Sequence, residues 1–224
     1  MTSHDPLRRV IGARARRAPL ALALLVALVF PVACANDGSS SSADTTAETG
    51  THQLSGVVPE PVPDVSALSL PEASADATPF PFVAKPGQLL LVYFGYTACP
   101  DICPTTLADL KAAFKKLGSP LSKKVSLAMA TIDPRRDTVD VISGYLHGFF
   151  PTATALRTED DAALRSVTDA FGASYEAQYP NNSEPRVSHS AYLYVVDENG
   201  HVVLEWPFGS TSKDIALDLE RLLA

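Results

Sequence analysis

The run QLLLVYFGY (88–96) is apolar from Leu89 onward, rich in β-formers, and leads straight into TACPDICPTTL (97–107). An uninterrupted apolar strand has no face to give to water, so it belongs inside a sheet covered on both sides. The segments that follow supply the cover. PTTLADLKAAFKKLG (104–118) spaces Leu107, Leu110, Phe114 and Leu117 as one helical face, with Pro104 at a favourable first position and Gly118 as a stop. KVSLAMATI (124–132) reads as a second strand, and DTVDVISGYLHGFF (137–150) as a helix with Asp137 at its N-cap. ATALR (153–157) reads as a short third strand, and EDDAALRSVTDAFG (159–172) as a helix that Gly172 stops. SAYLYVVDENGHVVLEW (190–206) is a pair of strands around the turn Glu198-Asn199-Gly200. STSKDIALDLERLLA (210–224) is an amphipathic helix capped by Ser210 or Ser212.

Strand, helix, strand, helix, hairpin and final helix is the order of a thioredoxin-like α/β sandwich, a central mixed β-sheet flanked by helices. The sandwich is expected to occupy residues 57–224. Ahead of it, VVPEPVPDV (57–65) is proline-rich and extended, and ANDGSSSSADTTAETGTHQ (35–53) is small and polar, the composition of a flexible tether. Residues 34–56 are therefore assigned to a tether beginning at Cys34.

Residues 1–33 have the form of an export signal: basic residues, then the apolar stretch Pro19–Ala33, too short for the ~20 residues of a membrane-spanning helix. The stretch ends at Cys34, as in a bacterial lipoprotein signal whose cysteine is lipidated, although Pro31 stands where such signals favour leucine. The expected location is the outer face of the cytoplasmic membrane, held there by a lipid anchor, where disulfides form and persist. The first 33 residues carry five of the 18 basic and one of the 25 acidic residues, so the remainder is strongly acidic. Such a surface repels phosphates and argues against nucleic-acid binding.

With Cys34 spent on an anchor, Cys99 and Cys103 remain as a pair. They sit at the carboxyl end of the first central strand, where α/β folds place their sites. Four positions of separation bring the sulfurs to one face of a helical turn. Free N–H groups at the helix mouth are expected to stabilise a thiolate there and lower its pKa. A disulfide staple closing so short a loop would remove little entropy from the unfolded chain. The pair therefore suits redox chemistry, a soft metal such as Cu(I), or both.

FGYTACPDICPTTL is similar to the signature of the Sco/SenC family, whose C-P-x-x-C-P motif is matched by Cys99, Pro100, Cys103 and Pro104. TIDPRRDT (131–138) resembles that family's Asp-Pro motif, and VSHSAYLYVVDENG (187–200) its histidine segment. The resemblance implies a thioredoxin fold at the outer face of the membrane and copper held by Cys99, Cys103 and His189. It also implies a role in building the binuclear copper centre of cytochrome c oxidase subunit II, with another copper carrier or a thiol reductant as a further partner. Read alone, His189 is one of five histidines, placed at the start of a central strand in the loop facing the cysteines. Two thiolates and an imidazole suit Cu(I), Cu(II) or, with a fourth ligand, zinc. Asp133 is either a turn-former or a residue beside the copper that orients ligands or docks the target, and Tyr96 and Thr97 line the same loop.

Three rivals differ by residue. Thioredoxins use C-x-x-C with a proline in the facing loop. This chain has three residues between its cysteines, and His189 where that proline would stand, so thiol-disulfide exchange is the alternative reading rather than the leading one. Peroxiredoxins carry threonine three residues before the reactive cysteine; Tyr96 occupies that place. Methionine-rich copper carriers need thioethers, and Met1 and Met129 are the only methionines.

Overall fold

The computed structural model describes residues 53–181 and 183–224. Strands β3 (Leu89–Gly95), β4 (Val125–Thr131), β5 (Thr154–Leu156), β8 (Tyr192–Val196) and β9 (Val202–Pro207) form one sheet in the order β5-β4-β3-β8-β9. β3 pairs in parallel with β4, and β4 with β5, while β8 runs antiparallel to both β3 and β9. This is the mixed sheet expected from the sequence. β3 lies at its centre with all seven residues buried, as an apolar run without alternation requires.

Helix α1 (Ile102–Leu117) turns Cys103, Leu107, Leu110, Ala113 and Leu117 inward and packs beside α4 (Ser212–Leu222). On the other side of β3, Phe94 meets Phe171, just past α3 (Asp161–Ala170), with ring centroids 5.3 Å apart, and Phe82 and Tyr194 complete the cluster edge-to-face. Alternation along β3 thus sends Tyr93 toward the cysteine side and Phe94 toward the opposite core.

Several local expectations are corrected. Helix α2 (Val139–Phe149) is capped by Thr138, whose hydroxyl accepts from the Val141 N–H; Asp137 is instead fully buried and bonded elsewhere. Helix α4 is capped by Thr211, which lies between the two serines proposed from the sequence and accepts from the Asp214 N–H at 3.2 Å. Residues 54–56, assigned to the tether, dock on the domain. The N–H groups of Ser55 and Gly56 donate to the buried Asp218 carboxylate, and Val57 bridges to Glu205 on the β9 edge. Two small pairings were not anticipated: β1 (Ser69–Pro71) with β2 (Pro79–Pro81), and β6 (Tyr175–Gln178) with β7 (Arg186–His189). The expected export signal and the expected lipidation site Cys34 lie outside the described residues. Among the described residues, no helix is long and apolar enough to cross a membrane.

Candidate metal centre

Cys99 and Cys103 reach the site by different routes. Cys99 closes a turn after β3, its N–H donating to the Tyr96 carbonyl at 3.3 Å. Cys103 occupies the first turn of α1 and is fully buried. Both are free thiols. The Cys103 N–H donates to Cys99 Sγ at 3.3 Å, so the helix mouth does offer a donor, but to the sulfur outside the helix. For Cys103 the expected lowering of pKa is overturned. Burial pushes its thiol up to about 12, outweighing the hydroxyl of Tyr93 and the Tyr96 backbone, which pull the other way. At neutral pH the metal-free Cys103 is a thiol, and a bound cation must displace its proton.

The backbone beside Cys103 is shaped for it. A Cβ on Gly95 would lie 2.8 Å from Tyr93 Cε1, 3.0 Å from Cys103 Sγ and 3.1 Å from Met129 Cε. Only a residue without a side chain leaves the sulfur its space.

His189 comes from the end of β7, not from the start of a central strand as the sequence suggested; β8 begins three residues later. Its Nδ1 lies 2.9 Å from the Ser190 carbonyl oxygen, which only accepts, so Nδ1 carries the proton and Nε2 presents a lone pair. That Nε2 is 3.5 Å from Cys103 Sγ. Burial holds the imidazole pKa below its ordinary value, keeping the ring neutral as a ligand must be. Tyr93 and Tyr96 stand edge-on to the ring, each with its centroid 6.0 Å away.

One donor atom from each of Cys99, Cys103 and His189 falls within 4.8 Å of the others, and they are the one such trio among the described residues. Sulfur at about 2.3 Å and nitrogen at about 2.0 Å from a common metal are separated by about 3.5 Å at a tetrahedral angle, which is the spacing of Cys103 Sγ and His189 Nε2. Two thiols and a neutral imidazole make a soft-to-borderline set that fits copper.

The structure does not bring Asp133 into this trio. Its carboxylate is fully buried and accepts from Arg136 Nε and the Tyr179 hydroxyl, which satisfy it in place of a metal. Tyr96 lies beside the centre, its hydroxyl donating to the Val187 carbonyl at 3.2 Å and its ring under Arg136. It braces β7 rather than supplying a donor. Tyr179 and Arg136 escaped the sequence reading, the first because it lies on a polar stretch without helical or strand pattern. One open cleft is lined by His189 itself with Arg165, Tyr175 and Ser190, and a second, lined by Tyr96, Pro100, Arg136 and Arg186, lies beside the turn that carries Cys99.

A family model described as SCO1/SenC matches residues 83–224. A SCO2-like protein of Rickettsia felis is 35% identical over 133 residues, covering 58% of this chain and 63% of that protein. The chain therefore spans less than two thirds of the length of that curated relative. The apo Sco1 protein from Thermus thermophilus is 30% identical, with a TM-score of 0.65 over 77% of this chain and 99% of that one. Bradyrhizobium japonicum ScoI, solved with copper bound, is 26% identical, with a TM-score of 0.58 over 69% of this chain and 96% of that one.

Proposed function

The chain belongs to the SCO1/SenC family, and we propose that it is a membrane-anchored, extracytoplasmic copper chaperone. It takes copper on Cys99, Cys103 and His189 and delivers it for assembly of the binuclear copper centre in cytochrome c oxidase subunit II. The observation that carries the reading is the convergence of the three donors within 4.8 Å. A relative solved with copper bound supports the choice of metal. The export signal and the cysteine at position 34 motivate the anchor and the location.

Copper is the cargo. Two thiolates hold Cu(I), while Cu(II) draws also on the imidazole. Handover requires the sulfurs to be surrendered, either to competing ligands on the target or by oxidation. In the second route Cys99 and Cys103 lose two electrons to a partner disulfide, which becomes two thiols as the new S–S bond forms here. The same exchange without copper is the second reading, a thiol-disulfide reductase acting on cysteines of the oxidase subunit or other exported proteins. The two adjacent free thiols favour it specifically.

The test is the copper content of the purified full-length chain, reconstituted with Cu(I) under thiol reductant. One copper per chain is expected, and less than about one tenth of that for the Cys99→Ser, Cys103→Ser double variant, because a hydroxyl is a hard and protonated substitute for a thiolate. Equal loading of the two proteins would remove the site. Deletion of the gene under copper limitation should also lower assembled oxidase; normal oxidase together with vigorous disulfide reduction would promote the reductase reading.

A further inference from the structure

Three carboxylates among the described residues are fully buried. Asp133 answers Arg136 and Tyr179, and Asp218 holds the entry of the chain together with the Trp206 indole. Asp137 reaches the cysteine loop. One carboxylate oxygen accepts from the Thr97 N–H at 3.0 Å and from the Thr131 hydroxyl at 2.6 Å; the other accepts from the Thr97 hydroxyl at 2.5 Å. Its own main chain is pinned as well. The Asp137 N–H donates to the Asp133 carbonyl at 2.9 Å, and Arg157 Nε donates to the Asp137 carbonyl at 2.8 Å.

We propose that Asp137 is a positioning residue for Cys99. Thr97 lies within the turn from Tyr96 to Cys99, and Asp137 grips it by both backbone and side chain. Cys103 is placed by α1, an element with its own packing. The separation of the two sulfurs therefore depends on where the loop is held, and the loop is held by a carboxylate contributed from beyond the end of β4. Three donors face that carboxylate, a main-chain N–H and two hydroxyls, and its charge strengthens all three bonds. Asparagine removes that charge, and its NH2 is met only if the Thr97 hydroxyl turns round to accept, so the grip on Thr97 weakens. The inference rests on the copper reading of Cys99, Cys103 and His189, but its first readout needs no copper.

The experiment compares full-length Asp137→Asn, Thr97→Val and Thr97→Ser with the parent, each verified as folded by circular dichroism. The metal-free dithiol–disulfide equilibrium is measured in a glutathione buffer, and Cu(I) affinity by competition with a chelator. Asp137→Asn should shift the disulfide equilibrium by several-fold and weaken copper by about 10-fold or more, within the ~10–100-fold typical of residues that orient metal ligands. Thr97→Val should shift both in the same direction by less, and Thr97→Ser, which restores the hydroxyl, should match the parent. If Asp137→Asn does not fold, Thr97→Val against Thr97→Ser decides the question. Parent-like disulfide equilibrium and copper affinity in folded Asp137→Asn, or in Thr97→Val, would overturn the assignment. A parent chain that binds no copper would refute the function instead, and the disulfide equilibrium would still judge Asp137.

Discussion

The cysteine side and the histidine side of the centre are built to different standards. Cys103 is fully buried, Cys99 nearly so, and both adjoin β3, whose seven residues are all buried. His189 ends a ribbon of two four-residue strands in which exposed and half-buried positions alternate and none is fully buried. A two-stranded ribbon has little stability of its own. This one is tied down by the Tyr96 hydroxyl on Val187, by the Tyr175 hydroxyl on Asp161 at 2.6 Å, and by the aromatic edges around the imidazole. Two donors are thus fixed by the core of the domain and the third is brought in by an appendage. The consequence is energetic. Disturbing the cysteines strains the fold, whereas displacing the histidine breaks a few local bonds and leaves the sheet intact. That asymmetry suits a site proposed to hold a metal ion and then give it up.

The largest effect is expected from a lesion on the cysteine side. Gly95→Ala puts a methyl 3.0 Å from Cys103 Sγ and 2.8 Å from Tyr93. It should cost about 1–3 kcal/mol by overpacking, visible in chemical denaturation. A variant as stable as the parent would mean that this side is loosely packed after all. Next in size, His189→Ala should lower Cu(II) affinity by about 10-fold or more while leaving Cu(I) binding within a few-fold, because two thiolates suffice for Cu(I). The unfolding free energy of the metal-free variant should stay within about 1 kcal/mol of the parent, since no fully buried group is lost. Global destabilisation would erase the distinction between the two sides. The smallest effect is expected of Tyr96→Phe, which removes the hydroxyl donating to Val187. One hydrogen bond worth about 0.5–1.5 kcal/mol corresponds to about 2–12-fold faster amide exchange, confined to residues 175–178 and 186–189. Equal acceleration along β3 would show that ribbon and sheet open together.

What the sequence disclosed follows the same division. β3, α1, β4 and the β8–β9 hairpin were legible because burial leaves an apolar run or a helical stripe, and Cys99 and Cys103 were legible with them. The ribbon was not. YEAQ and RVSH are short and half polar, joined by seven residues rich in proline and asparagine, so their strand alternation is too brief to register. His189 was therefore identified through its resemblance to a family motif and given the wrong element. Asp137 was misread for a different reason: Asp137 and Thr138 are both good N-caps, and only the fold shows that the threonine takes the cap while the aspartate turns inward. Gly95 carried no signal at all, because the sulfur it makes room for is eight residues away in the chain.

Two sulfurs set by the core and a nitrogen carried by the ribbon would be visible in X-ray absorption spectroscopy of the copper(II)-loaded full-length chain beside its His189→Ala variant. This arrangement predicts two sulfur scatterers and one imidazole in the parent, and the same two sulfurs without the imidazole in the variant. Fewer than two sulfurs in the parent, or imidazole scattering that persists in His189→Ala, would contradict it.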